Sequence, residues 1–211
     1  PSPIERLFIK KRYFADFIKS KQYDEIGITK VVIEEPLISS NNSNTVATLL
    51  RFNGMISDCI YEILNIVPVY ISSYEARAYS FPDLMAIRKY SKSGKPYENK
   101  KIIKAINNSN FTLFGGYPWD VDKKFIMHSK VRDLFPKIEW QYNKKGALKK
   151  ENFDATDAYV AGLGQIHKER YGELNLTSSN VKIDGLNVEY DVEYWGKTEH
   201  RKTFLFKETE Q

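Results

Sequence analysis

Apolar positions divide the chain into helical and extended stretches. Over residues 4–20, Leu7, Phe8, Tyr13, Phe14, Phe17 and Ile18 recur at roughly helical spacing, with Lys10, Lys11, Arg12 and Lys19 on the other face. Residues 30–37 read as a buried strand, in which Val31, Val32 and Ile33 run into Glu34, Glu35 and Pro36. A polar loop at 39–44 leads to Thr45, suited to cap a long helix over 45–65. Val46, Leu49, Leu50, Met55, Ile56, Ile60, Ile63 and Leu64 give that helix a wide apolar face. Residues 68–71 read as a second short strand, 72–90 contain a helix carrying Arg77, Arg88 and Lys89, and 91–96 form a basic loop. A short helix is expected at 100–107. An irregular stretch with Gly115, Gly116 and Trp119 follows, then a helix over 122–135 with Phe125, Ile126, Val131 and Leu134 on its apolar side. Residues 143–152 read as a basic loop and 155–171 as a helix. From Val181 to Phe206, alternating positions and turns at Asp184-Gly185 and Gly196 predict a small β-meander.

Two acids, Asp154 and Asp157, open the helix expected at 155–171. At i and i+3 they share one face, with Ala158, Val160, Ala161 and Leu163 expected to pack behind them. Like charges in an apolar setting call for a neutralising cation, and carboxylate oxygens suit Mg²⁺ or Mn²⁺. The other reading is an Asp N-cap with a second acid favoured by the helix dipole. Glu34 stands at the carboxyl end of a strand, where α/β proteins bind ligands. Neighbours in a strand point to opposite faces, so Glu34 and Glu35 cannot both serve one site. Lys144, Lys145, Lys149 and Lys150 precede the acid pair, as charges that draw in a polyanion or as a solubilising loop.

Composition narrows the classes. A chain of 211 residues, 42% hydrophobic and 28% charged, suits one decorated domain with a sizeable core. The net charge of +5 is compatible with a polyanionic partner. The single cysteine, Cys59, leaves no partner for an intramolecular disulfide and suits a reducing interior, so a cytoplasmic setting is expected. It lies on an apolar helix face and reads as packing rather than as a nucleophile. No apolar run is long enough for a membrane span. His128, His167 and His200 lack metal-ligand spacing, and no P-loop or dinucleotide fingerprint occurs.

The order of Ile33-Glu34-Glu35-Pro36 at a strand end, a long helix, a strand, helices, a lysine-rich loop and Asn152-Phe153-Asp154-Ala155-Thr156-Asp157-Ala158 resembles the RuvC family of Holliday-junction resolvases. This family lies in the RNase H-like nuclease superfamily, and the likeness is to its phage and bacterial branch, over about residues 4–170. The resemblance implies an α/β fold: a mixed sheet flanked by helices over 1–175, with the meander at 176–211 as an appendage. It implies a metal-dependent endonuclease that cuts four-way or branched DNA in a bacterial or phage-infected cell. Glu34, Asp154 and Asp157 match the acids that hold Mg²⁺, with Mn²⁺ as a substitute, and Glu35 is a supporting or substitute residue. Lys123, Lys124, Lys144, Lys145, Lys149 and Lys150 would hold the DNA backbone. A homodimer is implied, with the helix at 45–65 as its surface, and Phe52, Tyr74 and Tyr79 are candidates to stack on bases. The chain departs from the family in one respect. The family's first acid is an aspartate on an opening strand, and this sequence starts at the following helix, so a missing N-terminal segment or a complementing chain is expected. The alternative is a resolvase-like protein that binds junctions without a full metal site.

Overall fold

The computed structural model describes residues 1–22, 27–36, 43–82, 122–184 and 187–204. Over them the chain is mixed α/β, with five helices and two small sheets. It gathers into two compact units, Pro1–Ala76 and Arg77–Gln211. The boundary expected near residue 175 falls inside the second unit. The expected loop at 91–96, the helix at 100–107, the glycine-rich stretch before Asp122, and Arg88 and Lys89 lie outside the described residues. No described helix is long and apolar enough to cross a membrane.

In the first unit, helix α1 spans Pro3–Gln22. Ser2 and Glu5 form a capping box: the Ser2 amide donates to Glu5 Oε2 at 2.5 Å and the Glu5 amide to Ser2 Oγ at 3.2 Å. Pro3 adds its preset φ at the first helical position. Helix α2, Ser43–Leu64, begins two residues before the expected Thr45 cap, which therefore lies inside the helix. Asn65, at φ 54°, ends it in the left-handed region. The two helices pack together, and Lys11 reaches Asp58 at 3.1 Å and Glu62 at 3.8 Å. Leu7 and Ile18 of α1 are buried, whereas Phe8, Tyr13 and Phe17, expected on the core face, are exposed. Leu7, Lys11, Phe14 and Ile18 recur at i, i+4, i+7 and i+11. They form the covered strip, so Lys11 belongs to the packed side rather than the solvated one.

Strand β1, Val32–Glu34, pairs in parallel with β2, Val69–Ile71, through the α2 crossover. The expected strand over 30–37 is shorter than its apolar run, and Val32 and Ile33 are half-buried rather than fully buried. The Glu35 amide still donates to the Ile71 carbonyl at 2.9 Å, but Pro36 has no N–H to continue the ladder.

Helix α3, Ser73–Ser80, starts at a second capping box between Ser72 and Glu75. The second unit then contains helix α4, Lys123–Leu134, and helix α5, Lys150–Tyr171. Asp122 caps α4, its Oδ1 accepting from the amides of Lys124 at 3.0 Å and Phe125 at 3.1 Å. Ser80 Oγ donates to the Val160 carbonyl at 2.7 Å, and His167 Nδ1 donates to the Tyr79 carbonyl at 2.9 Å, which fastens the end of α3 to α5. The meander consists of β3, Thr177–Asp184, β4, Asn187–Tyr194, and β5, Lys197–Phe204, antiparallel in that order. Tyr190, Val192 and Tyr194 alternate into a buried face, while Glu189, Asp191 and Glu193 line the other. Trp195, in the β4–β5 turn, stacks on Tyr171 at 4.9 Å between ring centroids and meets His167 edge-on at 5.8 Å. The meander is thereby anchored to the last turn of α5.

Ile60 is fully buried on α2. Ile60→Ala should lower unfolding free energy by about 2–5 kcal/mol through reduced burial and a residual cavity. Urea denaturation of the variant against the parent measures this.

Candidate functional site

Helix α5 starts at Lys150, five residues ahead of the expected start. Lys149 is the N-cap and makes no side-chain capping bond. Asp154 and Asp157 therefore lie in the second and third turns, and the N-cap reading of Asp154 does not hold. The expected backing of the acids holds in part: Val160 and Ala161 are buried and Leu163 is half-buried, whereas Ala158 is exposed, and the buried side also takes in Asn152, Thr156, Gly164 and Gln165. At roughly 100° per residue, Asp154 points about 160° away from Thr156 and Asp157 about 100° to one side. The burial follows suit, with Asp154 exposed and Asp157 half-buried at the rim. Asp157 Oδ2 accepts from Lys124 Nζ of α4 at 3.0 Å. Lys124, expected at the DNA backbone, is thus the counter-ion of an acid.

A polar network beneath the acids fixes the helix. Asn152, buried, donates from Nδ2 to the Gln141 carbonyl at 2.6 Å, and its Oδ1 accepts from the Gln141 amide at 3.0 Å. Thr156 Oγ1 donates to the Asn152 carbonyl at 2.9 Å, which commits its only proton. With the hydroxyl proton so placed, the contact of 3.1 Å between Thr156 Oγ1 and His128 Nδ1 is assigned as donated by the imidazole. His128 is accordingly the Nδ1–H tautomer. It is 1% exposed, edge-on to Trp140 at 4.6 Å and to Phe153 at 5.5 Å. Its Nε2 and Trp140 Nε1 are buried and have no hydrogen-bond partner among the described residues. Sequence reasoning names Asn152 and Thr156 only within the motif around the acids, and sets His128 aside for want of ligand spacing. The available signal is the polar pair Asn152 and Thr156 at i, i+4, on the stripe that later carries Val160.

The basic stretch before α5, expected as a loop, is a tight hairpin closed by a bridge between Tyr142 and Leu148. Asn143 folds it: its Oδ1 accepts from the amides of Lys145 at 2.8 Å and Ala147 at 3.1 Å. Gly146 takes φ +78°, where a side chain would be strained. Lys144, Lys145, Lys149 and Lys150 are exposed, and Lys149 Nζ donates to Gln141 Oε1 at 3.3 Å. Lys123 is half-buried on α4.

In the first unit, Glu34 ends β1 with its side chain exposed, and its carbonyl accepts from Asn53 Nδ2 at 3.4 Å. Against the expectation that they turn to opposite faces, Glu34 and Glu35 both line a cavity of about 370 Å³ with Pro36, Thr45, Val46, Leu49 and Asn53, since β1 ends at Glu34 and strand alternation does not extend to Glu35. Of the expected stacking residues, Tyr79 is buried, Tyr74 is exposed, and Phe52 lies under Lys10 Nζ at 5.9 Å. Cys59 is buried, and that burial pushes its thiol pKa up, as suits packing.

For the implied divalent cation the second unit offers two hard carboxylates about 60° apart around one helix, of which Asp157 is paired with the Lys124 ammonium. Among the described residues, no three or more His, Cys, Asp or Glu side chains gather as a metal-binding group. No protein-family model, curated protein or solved structure matches this chain.

Burial, with a smaller contribution from Arg132, holds the His128 pKa below its ordinary value of 6.5. Below that pH the unfolded chain takes up a proton that the folded chain refuses, so stability falls on acidification. The loss starts as pH drops through 6.5 and levels off below the folded-state pKa. Its slope stays under about 1.4 kcal/mol per pH unit. Denaturant midpoints between pH 8 and 5 should show this component in the parent and lose it in His128→Asn.

Proposed function

We propose that this chain is a RuvC-like, metal-dependent endonuclease with an RNase H-like core, which resolves four-way or branched DNA by phosphodiester hydrolysis. One juxtaposition carries the reading. The lysine-bearing hairpin is hydrogen-bonded through Gln141 and Asn152 to the start of the helix that presents Asp154 and Asp157. Charge that attracts a phosphate backbone and carboxylates that suit a hard cation are thereby built into one joint. The parallel β1–α2–β2 unit, with Glu34 at its strand end, supports the fold assignment.

In this reading, Asp154 and Asp157 on α5 are ligands for Mg²⁺ or Mn²⁺, and Glu34 and Glu35 keep the metal-binding and supporting roles that the resemblance implies. When bound, the metal activates the attacking water and stabilises the leaving oxygen. Lys144, Lys145, Lys149 and Lys150 hold the DNA backbone and set its register without reading sequence. Lys124 Nζ, 3.0 Å from Asp157 Oδ2, holds that carboxylate in place while no divalent ion is bound. Leu49 and Leu50, exposed on α2, support that helix as the surface on which two copies pair. The ion pair between Lys124 and Asp157 also favours a second reading, a junction-binding protein whose acids are neutralised from within.

Asp157→Asn should abolish Mg²⁺- or Mn²⁺-dependent paired nicking of a labelled four-way junction while leaving junction binding roughly intact. Equal cutting by parent and variant would refute the metal role, and binding without nicks in the parent would favour the second reading. Replacing Lys144, Lys145, Lys149 and Lys150 with Ala should weaken junction binding. The log–log salt slope should become shallower by about 0.9 for each phosphate that the variant no longer neutralises. An unchanged slope would make the hairpin ordinary surface.

A further inference from the structure

We propose that one buried water joins Trp140 Nε1 to His128 Nε2, and that His128, so held, is the positioning residue for the turn of α5 bearing Asp154 and Asp157. The two ring nitrogens are complementary. Trp140 Nε1 is a donor only, and His128 Nε2 is left a bare acceptor, because Nδ1 carries the proton given to Thr156. Both are buried and unpartnered among the described residues, on rings that meet at 86° with centroids 4.6 Å apart. The Phe153 ring closes another side of the imidazole with no polar atom to offer. A ligand for this place must accept one hydrogen bond and donate another, and water is the smallest molecule that does both. From the imidazole the relay runs through Thr156 Oγ1 to the Asn152 carbonyl, while the Asn152 amide holds Gln141. Thr156 lies between the two acids in sequence, so pinning it inward sets the rotation of α5 that turns Asp154 and Asp157 outward. The positioning half of the inference rests on the metal-site reading, and the water and tautomer do not.

The test uses the full chain labelled with ¹⁵N-histidine. Imidazole nitrogen spectra at neutral pH should show His128 protonated at Nδ1 and unprotonated at Nε2, with the Nε2 resonance moving in Trp140→Phe. Amide exchange over residues 152–157 should quicken about tenfold in His128→Phe and return to within about twofold in His128→Asn, whose side-chain N–H replaces Nδ1–H. Mn²⁺ affinity by calorimetry should fall and recover in the same pair of variants. A proton on Nε2, an Nε2 resonance indifferent to Trp140→Phe, or exchange in His128→Asn as fast as in His128→Phe overturns the inference. If the parent binds no Mn²⁺ while the nitrogen spectra and exchange pattern stand as expected, the nuclease reading fails, and the water-linked tautomer is upheld.

Discussion

The paired hydrogen bonds between the Asn152 side chain and the Gln141 backbone hold the second unit's candidate site in place. An amide so deeply buried is tolerable only because its oxygen and nitrogen are both used. Each such bond contributes about 1 kcal/mol net, yet removing the amide would strand two backbone groups at about 1–3 kcal/mol each. That asymmetry makes the joint specific rather than strong. It fixes where the hairpin leaves α5, and Thr156 and His128 then fix how the helix is rotated against α4. The outward direction of Asp154 and the placement of Asp157 beside Lys124 follow from these inward bonds.

The meander follows the same logic at its surface. Asp191 accepts from Asn180 Nδ2 at 2.7 Å and faces His200 Nδ1 at 2.9 Å, and these contacts hold its carboxyl below the ordinary aspartate range. Glu189 is held low mainly by Lys202, its cross-strand partner. These charges lie across the ladder from one another, on the face opposite Tyr190 and Val192, and they serve register more than stability.

Much of the architecture is legible from period and composition alone. The spans of α1 and α4 and the three-stranded meander answer to simple periodicity, and the turn at Gly196 is written in the sequence, but Phe125 and Leu134, expected on the apolar side of α4, are exposed, and its buried residues are Met127, His128 and Val131. The start of α5 is not, because residues 150–153 carry two charges, an asparagine and an aromatic where an apolar stripe should begin. The burial of Asn152 and Thr156 depends on partners from α4 and the hairpin, which no local pattern announces. The faces of α1 depart from their pattern for a related reason. Its aromatics are as many as its large aliphatics, but the strip that meets α2 runs through Leu7, Lys11, Phe14 and Ile18, and Lys11 enters it because Asp58 and Glu62 wait on the other side. The acids themselves, Asp154 and Asp157, are legible as a pair. Their relation to Lys124 requires the fold.

The way the helices begin bears on function. α1 and α3 open with Ser–Glu capping boxes and α4 with an aspartate cap. Each supplies negative or acceptor character to the positive end of a helix. α5 reverses the rule: it starts after Lys149, adds Lys150, and leaves its first amides without a side-chain cap, with Glu151 as the acid of its first turn. Two lysines at the positive pole raise the local potential instead of relieving it, which costs stability and is out of keeping with the other starts. Natural sequences break such local rules mainly where function supplies the missing partner. A phosphate backbone lying along the hairpin would bring the negative charge that this helix start lacks, within two turns of Asp154. The energetic defect of α5 and the proposed contact with a nucleic acid are then one feature of the sequence.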